Sequence, residues 1–155
     1  MDSRCPPVLD PGLILIDALN VAYWCGAPPS LRLPISLLTG LQRAGHHALL
    51  YFDASAPYRL SDEGALYQRL ITNTELTVVA PSGRTADALL LRHARTHGAR
   101  IVSNDRFRDH RRRFRKLIDD PVRLFGGSVL EDRLRVPMLG LDVALLSLSA
   151  ACEIS

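Results

Sequence analysis

The chain has 155 residues, 47% of them hydrophobic and 23% charged, with a formal net charge of +3. That is the composition of a soluble globular protein long enough to bury a sizeable core, and the mild net charge identifies no partner by itself. No apolar run reaches the ~18 residues of a membrane-spanning helix, and the opening Met-Asp-Ser-Arg-Cys-Pro-Pro lacks the charged-then-apolar order of a secretion signal, so a cytoplasmic, membrane-free protein is expected. Cys5, Cys25 and Cys152 are odd in number, widely spaced and without a Cys-x-x-Cys pair, which argues against a disulfide framework or a zinc knuckle.

In chain order, Leu13-Ile14-Leu15-Ile16 is an unbroken apolar run, the pattern of a strand covered on both faces, and it stops at Asp17-Ala18-Leu19-Asn20. Residues 21–34 hold Gly26, Pro28, Pro29 and Pro34 and read as loop, and residues 35–44 have helical apolar spacing closed by Gly45. A second strand, 47–52, ends at Asp53; a helix follows over 62–71 with Ser61 as N-cap, then a third buried strand over 76–80. Pro81-Ser82-Gly83-Arg84 is a turn, residues 85–97 a helix with Asp87 in its first turn, and residues 99–103 a fourth strand. A basic helix then runs to about residue 118, followed by a fifth strand near 122–125 and a short pair over 128–130 and 134–136. The apolar tail 141–152 is expected as a helix packed on the sheet, with strand as the alternative.

Alternating strands and helices imply a three-layer α/β/α sandwich around a mainly parallel sheet of about five strands, with a C-terminal hairpin and apolar tail, in one domain spanning 1–155. In such sheets ligands bind beyond the carboxyl ends of the strands. Asp17, Asp53 and Asp105 stand at those ends and Asp87 at the top of a following helix, which predicts an acidic pocket. Asp105 and Asp109 are four apart; on one helical turn they would share a face, where like charges repel unless a cation lies between them. Clustered carboxylates without neighbouring Cys or paired His suit hard ions such as magnesium or manganese, which support phosphodiester hydrolysis. From Arg106 to Lys116 seven basic residues face one acid, and Lys116 is the only lysine, so the cations are planar guanidiniums suited to phosphate and bases.

The segments Asp17-Ala18-Leu19-Asn20-Val21-Ala22, Ala86-Asp87 and Val102-Ser103-Asn104-Asp105-x-x-Arg108-Asp109, in this strand order, resemble the NYN branch of the PIN-like nucleases, most closely its regnase-type ribonuclease domain. The similarity covers about residues 13–137, including the Pro81-Ser82-Gly83-Arg84 turn and a closing hairpin that ends near Val136-Pro137. The resemblance implies a single-stranded RNA endonuclease using magnesium or manganese, with Asp17, Asp87, Asp105 and Asp109 as direct or water-mediated ligands. Asn20 would orient a ligand or the scissile phosphate, and Ser103 or Asn104 would support the acids by hydrogen bonds. Arg84, Arg106, Arg108, Arg111, Arg112 and Arg113 are the candidate RNA contacts. Two departures stand out: the family has paired acids where this chain has Ala86-Asp87, and commonly Gly where Ala18 stands. Asp53 could compensate for the missing acid or sit behind the site.

Other readings compete. Asp17 and Asp105 could cap helices, Asp53 could be a turn residue, Asp109 could pair with Arg112 or Arg113, and the arginine run could be a solvated helix face. Tyr23 and Trp24 could stack on a base or pack beneath the loop, and His93 and His97 lack a third ligand. The missing paired acid motivates an alternative function, an RNA-binding or scaffolding module with weak or no catalysis. A small-molecule phosphatase would need an Asp-x-Asp nucleophile that the chain lacks. A homodimer or another protein partner is compatible with the sequence but not required by it.

Overall fold

In the computed structural model, which describes residues 12–154, β1 (Leu13–Asp17) is buried along its whole length. The further strands of its sheet are β2 (His47–Phe52), β3 (Thr77–Val79), β4 (Arg100–Val102) and β5 (Leu124–Phe125), all parallel and in the order β3-β2-β1-β4-β5. β1 is therefore central in the sheet, and because both sheet faces are covered its sequence is continuously apolar rather than alternating. The helices are α1 (Ala18–Ala22), α2 (Arg32–Arg43), α3 (Ala56–Arg59), α4 (Gly64–Thr72), α5 (Ala86–His97), α6 (Arg111–Ile118) and α7 (Leu148–Ile154).

The chain moves outward through β1, β2 and β3, then returns to the other side of β1 for β4 and β5. Right-handed crossovers running in opposite directions put their helices on opposite faces of the sheet. Ile14, Ile16, Leu50 and Phe52 accordingly pack with Leu37 and Leu41 of α2 and Leu66 and Leu70 of α4. Their chain neighbours Leu15, Tyr51 and Ile101 pack instead with Leu90 and Leu91 of α5 and Phe114 and Leu117 of α6. The expected three-layer sandwich is thus the observed one. Its switch point lies between β1 and β4, where a crevice opens beyond the carboxyl ends of both strands.

Local differences from the sequence reading have identifiable causes. A short helix, α1, follows β1 directly inside a stretch read partly as loop. α2 starts at Arg32 rather than 35, because Leu31 and Leu33 are buried and the Glu63 carboxylate caps the start from a distance, accepting from the Leu31 N–H at 2.6 Å and the Ser30 hydroxyl at 2.8 Å. Pro34 falls in that first turn, where its missing N–H costs nothing. Ser61 does not cap a helix through its side chain; Ser61–Glu63 is a 3₁₀ turn leading into α4. His93 of α5 is hydrogen-bonded to the Tyr51 hydroxyl of β2 at 2.6 Å, so it belongs to the helix–sheet contact. Cys25 is exposed and Cys152 half-buried, and Cys5 lies outside the described residues. No helix among the described residues is long and apolar enough to cross a membrane.

After β5 the chain forms a second sheet of β6 (Ser128–Leu130), β7 (Arg133–Val136) and β8 (Leu141–Ala144), antiparallel in that order. The tail is therefore a third strand followed by α7, not helix throughout. Leu141 and Val143 face the core while Asp142, on the opposite face, pairs with Arg133 at 2.7 Å and Arg135 at 3.1 Å. β8 approaches α2 at Gly40, where a Cβ would come within 3.0 Å of the Val143 side chain.

The β6–β7 hairpin turns through Glu131 and Asp132, both at positive φ (52° and 60°). A two-residue turn of this kind favours Asn-Gly, because other side chains crowd the backbone there. Replacing Glu131 by Asn together with Asp132 by Gly is expected to stabilise the protein by about 1 kcal/mol in denaturant unfolding; a loss of stability would contradict the turn assignment.

Candidate active site

The crevice at the switch point is built around Asp17. As the last residue of β1 it is carried to the sheet edge by the most deeply buried strand, and it is only 9% exposed. Its Oδ2 accepts from the Ser103 hydroxyl at 2.8 Å, from the residue just after β4. The same Ser103 oxygen accepts the backbone N–H of Asp105 at 3.0 Å, and Asp105 Oδ1 accepts the N–H of Phe107 at 2.8 Å. One buried hydroxyl therefore sets the distance between two acids from neighbouring strands. Asp87 arrives from above, in the first turn of α5, where helix N-termini favour negative charge. Thr85 caps that helix, accepting from Ala88 N–H at 3.4 Å.

Carboxylate oxygens of Asp17, Asp87 and Asp105 lie within 4.8 Å of one another. Burial raises Asp17 from 3.8 to about 7, the charges of Asp87 and Asp105 adding to it and the Ser103 hydrogen bond opposing it. Asp87 is raised as well, first by burial and then by Asp105, with smaller upward pushes from Asp53 and Asp109 and a downward one from His110. Asp17 and Asp87, so placed, are held against ionisation, which a hard cation would relieve.

Asp109 stands apart from the three. The expected shared helical face with Asp105 is not formed, because Phe107 between them takes a left-handed conformation (φ 50°, ψ 43°) that buries its ring among the residues under α5 and α6. Asp109 lies instead in the 3₁₀ turn Arg108–His110, on the rim of an open cleft of about 440 Å³ that it lines with Asp87, Asp105, Arg106 and Arg108. It makes no ion pair with Arg112 or Arg113. Asp53 follows β2 and is spent on a turn, accepting the Ser55 N–H at 2.8 Å and the Ser55 hydroxyl.

Asn20 and Asn104 knit the floor. Asn20 Oδ1 accepts both the Trp24 indole N–H at 3.0 Å and the Asn104 backbone N–H at 2.9 Å, which fixes its amide orientation and turns its NH₂ away from these donors. The Asn104 side chain clasps Gly127, donating to its carbonyl at 2.9 Å and accepting its N–H at 3.0 Å. A Cβ on Gly126 would fall 1.7 Å from Asn104 Oδ1, and one on Gly127 would fall 2.7 Å from the Trp24 ring, so the glycine pair is what lets the hairpin close against the site. Trp24 is thereby a packing residue. Tyr23 is half-buried beside it.

The arginines divide by direction. Arg106 and Arg108 are exposed and line the cleft; Arg84 is exposed on the turn before α5; Arg111 is tied to Asp119 at 3.0 Å; Arg112 is exposed on α6; Arg113 lies over the Phe114 ring at 5.6 Å. Sequence reasoning passed over His110, which has no ligand partner at a recognisable spacing; its adjacency to Asp109 at the start of the basic helix was the available signal.

Residues 11–135 match the family model described as the Zc3h12a-like Ribonuclease NYN domain. No curated protein matches the chain significantly. Among solved structures, two of the nuclear protein-only RNase P 2 from Arabidopsis thaliana are similar at 19% identity, with TM-scores of 0.65 and 0.62, each covering 82% of this chain and 29% of the other. At that identity the likeness establishes the fold alone, and the family match spans most of the chain. The chain belongs to the Zc3h12a-like ribonuclease NYN domain family.

Proposed function

We propose that the protein is a divalent-metal-dependent endoribonuclease that hydrolyses phosphodiester bonds of single-stranded RNA at Asp17, Asp87 and Asp105. The observation that carries this reading is the meeting of three carboxylates within 4.8 Å in a chain of a ribonuclease family. The donor set fits a hard ion: all ligands are oxygen, and among the described residues no arginine or lysine forms an ion pair with any of the three acids. Magnesium or manganese would be held by these three, with Asp109 beside them on the rim. When bound, such an ion supplies the charge that offsets the developing negative charge on the phosphoryl oxygens and lowers the pKa of an attacking water.

The chain's own residues set the frame for that chemistry. Ser103 keeps Asp17 and Asp105 at a fixed separation, so the acids are organised before any ligand arrives. The Asn20 NH₂ is the polar group left to face a phosphate once its oxygen is committed to Trp24 and Asn104. Arg106 and Arg108 line the cleft with guanidiniums that would hold the phosphates next to the scissile one. A second reading, RNA binding without turnover, draws on Ala86: it is buried, 6% exposed, at the position where the regnase-type resemblance implies a second acid.

Asp17→Asn and Asp105→Asn are each expected to lower manganese-dependent cleavage of single-stranded RNA at least a hundredfold while the circular dichroism spectrum is retained, and EDTA to abolish wild-type cleavage. Cleavage persisting in both variants would sink the site assignment, and binding without cleavage in several metals would favour the second reading.

The Asp17 carboxyl is raised in the folded protein to about 7, so the folded state holds a proton that the unfolded chain releases near 4. Its contribution therefore falls as pH rises through that window, a loss of roughly 4 kcal/mol by its upper end. Without metal, Tm is expected to drop between about pH 5 and about pH 8, and Asp17→Asn to flatten the drop. Manganese should raise Tm more at the higher pH; an equal gain at both would count against binding at these acids.

Arg112→Ala with Arg113→Ala is expected to weaken RNA affinity and reduce the slope of log K against log salt by about 1 to 1.5. Arg111→Ala, whose guanidinium already serves Asp119, should change it less. An unchanged slope in the double variant would return the run to a solvated helix face.

A further inference from the structure

A second cavity, of about 510 Å³, lies between α5 and α6 and adjoins the acidic cleft; His110 lines both. Its walls combine two chemistries. Arg84 from the Pro81–Thr85 turn, Arg92 from α5 and Arg113 from α6 bring three guanidiniums to one groove, and none of them is paired with a carboxylate among the described residues. Between them lie Leu89 and the Phe114 ring, over which Arg95 lies at 4.5 Å and Arg113 at 5.6 Å. No acid lines this groove; Asp87, Asp105 and Asp109 line the cleft that shares His110 with it.

An apolar slot between unpaired planar cations, one residue away from a phosphodiester site, matches a nucleotide: a flat apolar base with an anionic backbone. A strand crossing the acids must run over this groove or away from it, and the free guanidiniums favour the first course. The cavity volume falls within the range of small-ligand sites. A duplex keeps its bases stacked and could not fill such a slot, whereas an unpaired nucleotide can turn its base into it. Resting on the reading that the acidic cleft cleaves RNA, we propose that the groove between α5 and α6 is a subsite for one unpaired nucleotide beside the scissile bond, with its base against Leu89 and Phe114 and its phosphate on Arg84 and Arg92. The groove thereby selects single-stranded over paired substrate.

Ala88 is exposed on the groove wall in the first turn of α5, so Ala88→Phe fills the slot without removing a charge or a core contact. Binding is read in EDTA by fluorescence anisotropy with a labelled single-stranded RNA and with versions carrying one abasic nucleotide at each position. Cleavage of the same RNA in manganese fixes the position of the cut. For wild type, one abasic position at a constant distance from the cut should weaken binding about tenfold. Ala88→Phe and Arg92→Ala should each weaken binding of the intact RNA by a similar factor and remove the abasic sensitivity, with the manganese-induced rise in Tm unchanged. Wild-type binding of intact RNA by both variants, or abasic sensitivity surviving in them, would overturn the subsite while leaving the nuclease reading in place. Groove-dependent binding without cleavage would retain the subsite and overturn the nuclease reading, and no RNA binding at all would overturn both.

Discussion

The Ser103 hydroxyl is the contact on which the site depends. Donating to Asp17 and accepting from the Asp105 amide, it couples the ends of two adjacent strands through one buried oxygen. Like-charged carboxylates this close would ordinarily push apart, and here neither strand can yield. β1 is locked between β2 and β4, and Phe107 is anchored in the core two residues beyond Asp105. The acids are thus held together rather than relieved by movement, and burial first, with their neighbours' charges adding to it, raises the Asp17 and Asp87 carboxyls. On the proposed reading, an arrangement of this kind would receive a cation without rearranging.

Topology decides which residues share that edge. Reversal of the chain after β3 brings β4 beside β1 and sends α5 to the opposite face from α2, so a first-turn acid of α5 can hang over two strand ends. The C-terminal hairpin then closes the floor. Asn104 clasps Gly127, Asn20 joins Trp24 to the Asn104 amide, and the glycine pair admits both contacts. Asn20, expected to direct a ligand, commits its oxygen to holding the walls together, Asn104 supports the site through Gly127, and Asp53, at the end of β2, is engaged in its own turn.

Much of this was legible in the sequence because parallel strands write their ends plainly: Leu13-Ile14-Leu15-Ile16 and Ile101-Val102 are unbroken apolar runs, and the acid after each must lie at one edge. What escaped were features set by tertiary contacts. The spacing of Asp105 and Asp109 suits a helix, but burial of Phe107 and an Asp105 side-chain bond to its amide impose a turn. Glu63, more than twenty residues downstream, extends α2 backward past the expected start. The tail was ambiguous for a different reason: Leu141-Asp142-Val143-Ala144 alternates with a strand's period, but over so few residues that the apolar run beyond it dominated the reading. Basic side chains were visible as a cluster, while their division between Asp119, Phe114 and the groove became apparent only once α6 was placed.

The central claim is that Asp17, Asp87 and Asp105 share a metal ion. An anomalous difference map from a crystal soaked in manganese tests it most directly. The account predicts a peak within bonding distance of oxygens from all three residues, lost in a crystal of Asp105→Asn. A map with no peak there, or with manganese only at surface acids such as Asp119 and Asp142, would contradict it.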